Sequence, residues 1–339
     1  MQRRHLLRGM PAWGALMSTA TSWADASGNR LASYYACHQV IVGGAAFAWR
    51  DAGSPRRQLG NVRQVGVSQD TCFALRADGA LVGWSDAVAG SALGPSTGPS
   101  SGPAADTSRR LALLMQGVAG FAAGQSGWFA IDAAGLLWYR AATAAGASTS
   151  TSTSPGTTPT LPTRVAENVA AACIGDSADY YITRDGTLFV KGLAHRGQYG
   201  DGKLTATAHF VPTARDAIAV KAHTGHALVL QRDGTVLGTG GNRFGPLSSH
   251  GLGDKADRWG PIFEGAVAIA TGSRHSAALR ADGTLWVWGD GYEIAPKKLF
   301  DGVAEVAAGD TATLALTRAG ELWQWERGQG PRRLPLPAA

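Results

Sequence analysis

Residues 267–289 read Val-Ala-Ile-Ala-Thr-Gly-Ser-Arg-His-Ser-Ala-Ala-Leu-Arg-Ala-Asp-Gly-Thr-Leu-Trp-Val-Trp-Gly. An apolar run ending at Leu279 is followed by Asp282-Gly283 and then by Leu285-Trp286-Val287-Trp288. Asp-Gly between two strand-like runs predicts a two-residue hairpin turn, because both central residues of such a turn must tolerate positive φ. Neither run keeps a polar face, so these strands need apolar cover on both sides.

The same hairpin recurs at Asp78-Gly79, Asp185-Gly186 and Asp233-Gly234. Ala134-Gly135 and Ala319-Gly320 keep the Gly, and Gly43-Gly44 is a degenerate first copy. Upstream of each hairpin lies another apolar run, at 62–67, 118–123, 169–174, 217–222, 266–271 and 303–308. Before that run stands a Pro-led segment, as in Pro55–Gln58, Pro162–Val165, Pro212–Arg215, Pro261–Glu264 and Pro296–Leu299. Proline enters a sheet only at an edge or at a strand's first residue. Each unit therefore reads as a four-stranded antiparallel sheet with its Pro segment at one end. Such an array needs stacking to bury its core, and sheets set radially around an axis bury both faces against their neighbours. The expected fold is all-β, a seven-bladed β-propeller. No Pro segment precedes the first unit, whereas Pro331-Arg332-Arg333-Leu334 stands unused beyond the last hairpin. The C-terminal strand is accordingly expected to complete the first blade and close the ring, leaving no open edge.

In detail the stretch with Gly272, His275-Ser276, Asp282-Gly283 and Trp288-Gly289 resembles the repeat of the regulator of chromosome condensation family. Gly197-Gln198-Tyr199-Gly200-Asp201-Gly202 and Gly240-Gly241-Asn242-Arg243-Phe244-Gly245 resemble that family's linking loop. The resemblance covers about residues 32 to 336 and points to an exported bacterial member. It implies a propeller that acts by binding proteins. Light-sensing members of the family carry Gly-Trp-Arg-His-Thr where this chain has Gly272-Ser273-Arg274-His275-Ser276, so its tryptophans read as blade packing.

Arg3-Arg4-His5-Leu6-Leu7-Arg8, a modestly apolar run from Met10 to Ala20 and Ala24-Asp25-Ala26 have the layout of a secretory signal. The Arg pair resembles the twin-arginine type. Residues 1–26 are thus expected to be an export signal and 27–339 a single domain, periplasmic or secreted. No later apolar run is long enough to span a membrane. The net charge of +6 falls to about +4 without Arg3, Arg4, Arg8 and Asp25. The mature chain has no basic block longer than Arg56-Arg57 or Arg332-Arg333, so nucleic-acid binding has no electrostatic footprint. The low-complexity stretches at 87–106 and 141–159 lack the apolar surface to repay ordering and read as flexible insertions. Cys37 and Cys72 both stand seven residues before a turn Gly, which leaves a bridge between neighbouring blades and two separate thiols open. Cys173 reads as a small buried residue.

Chemistry is sparse. Gly-x-Ser-x-Gly occurs only inside the low-complexity stretch at 87–106, with no strand-to-helix elbow around it, and the chain has no phosphate loop or His-Glu-x-x-His motif, so no catalytic residue and no cofactor is assigned. His223 and His226 have no Cys or acidic residue at ligand spacing, and no metal site is expected. His226 and His275 share one repeat position and are read as fixing a loop backbone. What remains is the unrepeated loop between the first two strands of each unit: Tyr34, Tyr35, Gln69, Asp70, Gln125, Asp176, Arg274 and Asp310. Such loops converge near a propeller axis and form the candidate binding face. The expected function is an exported, monomeric, non-enzymatic scaffold that binds a protein partner, an inhibitory role included. An enzyme using the propeller as a polymer-binding platform stays open. A guanine-nucleotide exchange factor is disfavoured, because export separates it from GTPases.

Overall fold

The structure, a computed structural model, describes residues 29–50, 53–68, 71–85, 111–142, 161–248 and 253–336. The expected export signal, insertion 87–106, residues 143–159 of the second insertion, Gln69 and Asp70 lie outside the described residues.

Blade 1 comprises β1 (Leu31–Tyr34), β2 (Cys37–Val42), β3 (Ala45–Arg50) and β4 (Arg56–Leu59). Blade 2 comprises β5 (Val62–Val67), β6 (Thr71–Arg76), β7 (Leu81–Ser85) and β8 (Ala112–Met115). Blade 3 holds β9 (Val118–Gly124), β10 (Gly127–Asp132), β11 (Leu137–Ala141) and β12 (Thr163–Ala166). Blade 4 holds β13 (Val169–Ile174), β14 (Ala178–Thr183), β15 (Leu188–Gly192) and β16 (Thr207–Ala214). Blade 5 is β17 (Ala217–Ala222), β18 (His226–Gln231), β19 (Val236–Gly241) and β20 (Lys255–Phe263). Blade 6 is β21 (Ala266–Thr271), β22 (His275–Arg280), β23 (Leu285–Gly289) and β24 (Lys297–Phe300). Blade 7 is β25 (Val303–Ala308), β26 (Ala312–Thr317), β27 (Leu322–Glu326) and β28 (Arg332–Leu334). Every sheet pairs its four strands in chain order, antiparallel throughout. The first strands contact one another around the axis, β25 against β1 included, so the seven-bladed ring is closed.

The closure differs from the expected one. Strand β28 hydrogen-bonds to β27 of its own blade, and blade 1 already has its fourth strand in β4. Each Pro-led segment is the outer edge of the blade before it: Pro212 pairs with Phe189 and Pro261 with Leu237. A periodic sequence has no intrinsic starting point, and here the unit begins one strand later than the proline pattern suggests. The ring closes by packing. Leu31, Val40, Phe47 and Trp49 of blade 1 share a core cluster with Leu314, Leu316, Leu322 and Leu334 of blade 7.

The turns differ too. Gly43 and Gly44 have φ 56° and 73°, and Val42 pairs with Ala45, giving the expected two-residue turn in blade 1. At Asp78-Gly79, only Gly79 has positive φ, and Arg76 N–H bonds Ala80 O at 2.9 Å around a three-residue loop. That is the type I turn with a left-handed Gly. The Asp contributes through its side chain, accepting the N–H two residues on: Ala80, Thr187, Thr235 and Thr284 donate to Asp78, Asp185, Asp233 and Asp282 at 2.8–3.1 Å. Because the first hairpin is shorter, Tyr34 pairs with Cys37 as Ser68 pairs with Thr71. His38, not Cys37, therefore stands at the place of Cys72. Cys37 and Cys72 are buried thiols of one core cluster, and Cys173 is buried as well.

The repeated histidines tie blades together. His226 Nε2 meets Ser276 Oγ at 3.0 Å, and His275 Nε2 meets Thr313 Oγ1 at 2.9 Å, each on the next blade. Beyond the expected role at the loop backbone, Nε2 of each ring thus makes an inter-blade hydrogen bond. Ser276 donates to Pro246 O at 2.8 Å, so its oxygen accepts from His226. Burial lowers the pKa of His38 to about 4, His226 to about 3 and His275 to about 4. Burial also raises the Asp179 carboxyl to about 6, although Lys191 lies 3.8 Å away. An unfolded histidine takes up its proton near pH 6.5, so these three histidines withdraw stability as pH falls below that value. Asp179 acts oppositely, holding its proton in the folded state from pH 6 down to the ordinary carboxyl value. With His223, which burial also holds below its ordinary pKa, four histidines against one carboxyl predict a stability that falls between pH 7 and pH 5. His226→Gln should flatten that fall by up to about 1.4 kcal/mol per pH unit. Thermal melts of the two proteins across this range check it, and parallel slopes would contradict it.

Candidate functional site

Antiparallel pairing puts the loops joining first to second and third to fourth strands at one end of every blade. The Asp-Gly hairpins lie at the other. The first end, the loop face, carries every candidate residue that falls within the described chain.

At its centre the expected residues form a plug. Tyr34 ends β1, and Tyr35 follows it at φ 48°, a left-handed conformation costly for an aromatic residue. Both hydroxyls donate to one carboxylate across the axis: Tyr34 to Asp176 Oδ1, Tyr35 to Asp176 Oδ2 at 3.2 Å. Asp176 belongs to blade 4, and His223 of blade 5 stacks on Tyr34 with ring centroids 4.8 Å apart. Tyr34 and Tyr35 meet edge to face at 4.9 Å. The Gln125 backbone also bonds the Tyr34 hydroxyl. His223 Nδ1 accepts the Thr224 N–H at 2.9 Å, which leaves the ring proton on Nε2. Burial holds His223 below its ordinary pKa against the pull of Asp176, and burial followed by Asp176 raises both tyrosines. The tyrosines stay protonated donors, so the cluster is a strut joining blade 1 to the far side of the ring. Beneath it the first strands line an axial cavity of about 530 Å³, walled by residues such as Ala122, Ala171, Ala219 and Val306.

The other two candidates lie on the rim. Arg274, Asp310, His275, Asp290, Thr311 and Arg327 line a polar hollow of about 70 Å³. Asp290 binds Arg327 at 2.6 Å and Arg274 at 3.6 Å. The Arg274 guanidinium also lies 4.4 Å from the ring centroid of Phe244. Phe244 is 40% exposed and Ile294 61% exposed, and Ile294 packs on Gly245. Sequence reading passed over Phe244 and Ile294 because they lie in the loops between third and fourth strands, and over His223 because its partners are remote in sequence. Among the described residues, no group of three His, Cys, Asp or Glu side chains could hold a metal ion. No described helix is long and apolar enough to cross a membrane.

Tyr35→Phe and Asp176→Asn should be coupled in a double-mutant cycle by about 0.5–3 kcal/mol of unfolding free energy. Denaturant titration of the four proteins measures it, and additive effects would remove the strut.

Residues 266–293 match the family model of the regulator of chromosome condensation (RCC1) repeat. A bovine secretion-regulating guanine nucleotide exchange factor is 34% identical over 127 residues, which cover 35% of this chain and 27% of that protein. The ultraviolet-B receptor UVR8 of Arabidopsis thaliana is 26% identical over 122 residues, covering 32% and 27%. The chain thus matches about a quarter of the length of these relatives. The crystal structure of Kap60 bound to yeast RCC1 (Prp20) aligns with a TM-score of 0.67 at 17% identity, covering 95% of this chain and 86% of that one. Matched repeat, relatives and ring together make this chain a seven-bladed β-propeller that carries an RCC1 repeat at residues 266–293 and is similar to RCC1-type proteins.

Proposed function

We propose that the chain is an exported, non-enzymatic propeller that binds a protein partner through its loop face. Phe244 carries this reading: a large exposed ring held in place by Arg274 and flanked by Ile294, on the rim of the loop face. Aromatic and Arg side chains dominate interface energetics once a partner desolvates them. The strut floors the same face with buried, hydrogen-bonded rings, so a partner meets a surface already ordered. The yeast RCC1 bound to Kap60 supports protein binding by fold analogy alone. The export half of the proposal rests on Arg3-Arg4 and Ala24-Asp25-Ala26.

A second reading, nucleotide exchange on a small GTPase, is favoured by the similarity to the bovine exchange factor. It predicts that the protein accelerates release of labelled GDP from a GTPase, whereas a binding scaffold leaves that rate unchanged.

Affinity capture from the periplasmic or secreted fraction should recover a partner with the unaltered protein and lose it with Phe244→Ala/Arg274→Ala, at an unchanged melting temperature. Equal recovery by the variant would overturn the face. Fractionation of a C-terminally tagged chain should show a processed protein beginning near Ser27 outside the cytoplasm. An unprocessed cytoplasmic protein would overturn export.

A further inference from the structure

Successive linking loops repeat one contact with exchanged chemistry. Arg196 and Phe244 each precede a Gly with positive φ, Gly197 at 85° and Gly245 at 75°. Arg196 lies across Gly225, whose Cβ direction comes within 2.9 Å of a guanidinium nitrogen. Phe244 lies against Arg274, the residue at the place of Gly225 in the next blade. A loop of one blade thus leans on the first loop of the following blade, and twice the contact leaves an arginine at the surface.

The resulting rim is cationic and apolar together. Arg243 and Arg274 border Phe244, Arg327 joins Arg274 through Asp290, and Arg196 stands against Gly225 and Gly241, all four exposed. Asp290 engages Arg274 and Arg327. Arg196 and Arg243 have no carboxylate partner among the described residues. A guanidinium stacked on a ring keeps its planar N–H edge available for a carboxylate. Arg243, 5.7 Å from the Phe244 centroid, approaches the same ring as Arg274, so two such edges border one aromatic surface.

We propose that this rim docks an acidic segment of a protein partner, its carboxylates on Arg243 and Arg274 and an apolar side chain between Phe244 and Ile294. The proposal rests on the protein-binding reading of the same face and names the partner's chemistry. Charge complementarity selects an acidic partner, and a net charge of about +4 for the chain without residues 1–26 steers it inward. A chain with no Lys/Arg block longer than Arg56-Arg57 or Arg332-Arg333 beyond the expected signal selects a peptide over a nucleic acid.

The test uses a displayed library of random 12-residue peptides, selected on the purified full chain. Selected sequences should combine Asp or Glu with an aromatic or branched apolar residue. Their affinity should fall about tenfold or more in Phe244→Ala and in Arg243→Glu, with Arg243→Lys retaining most of it and all variants melting alike. Raising the salt concentration should weaken binding to the unaltered chain and weaken it less in Arg243→Glu. Peptides that depend on Phe244 but show no acidic excess would overturn the acidic partner while leaving the face in place. Selected peptides indifferent to Phe244→Ala would overturn the face itself. Tight binding of a single-stranded oligonucleotide, with no peptide selected, would overturn the proposal in favour of phosphate recognition.

Discussion

The whole structure depends on burying strands that are apolar on both faces. In β23, Leu285 and Val287 enter the core shared with blade 7, while Trp286 and Trp288 enter the core shared with blade 5. One strand of period two thus serves two interfaces, and removing either neighbour would leave a row of large side chains in water. No blade can be satisfied alone, so the array must continue until it meets its own beginning. At the meeting point, Trp49 and Phe47 pack with Leu314 and Leu334, and apolar packing closes the circle with no exchanged strand. The His226–Ser276 and His275–Thr313 bonds add direction to this packing, since a buried imidazole with a misplaced partner would lose its hydrogen bond.

What was legible in the chain was what is local. The number of blades, the hairpins and the edge position of the prolines follow from residues a few places apart. The phase of the unit was not legible, because Pro331 looks the same whether it ends one blade or completes another; only the β27–β28 pairing decides. Asp-Gly fits both a two-residue and a three-residue turn, and the residues around Asp78 settle on the longer one through the Arg76–Ala80 pair. The strut was legible only as a list of loop residues. Tyr34 and Asp176 are 142 residues apart and meet because the ring brings opposite blades to the axis.

Residues that look reactive one at a time have structural work in the ring. The turn aspartates cap backbone amides, the repeated histidines bridge blades, and Tyr34 and Tyr35 are held as proton donors by Asp176. What the scaffold leaves unspent is on the loop face: Phe244, Ile294 and arginines the blades do not require for packing. Rigid strands beneath carry the stability, and the loops above differ from blade to blade.

The central claim is that the Phe244 rim of the loop face is where this propeller meets its partner. Hydrogen–deuterium exchange of the isolated protein and of its captured complex tests it most directly. Binding there predicts new protection at residues 242–248, 273–275 and 290–294, with the Asp-Gly hairpins at the opposite end exchanging as before. Protection concentrated on those hairpins, with the Phe244 loop unchanged, would contradict it.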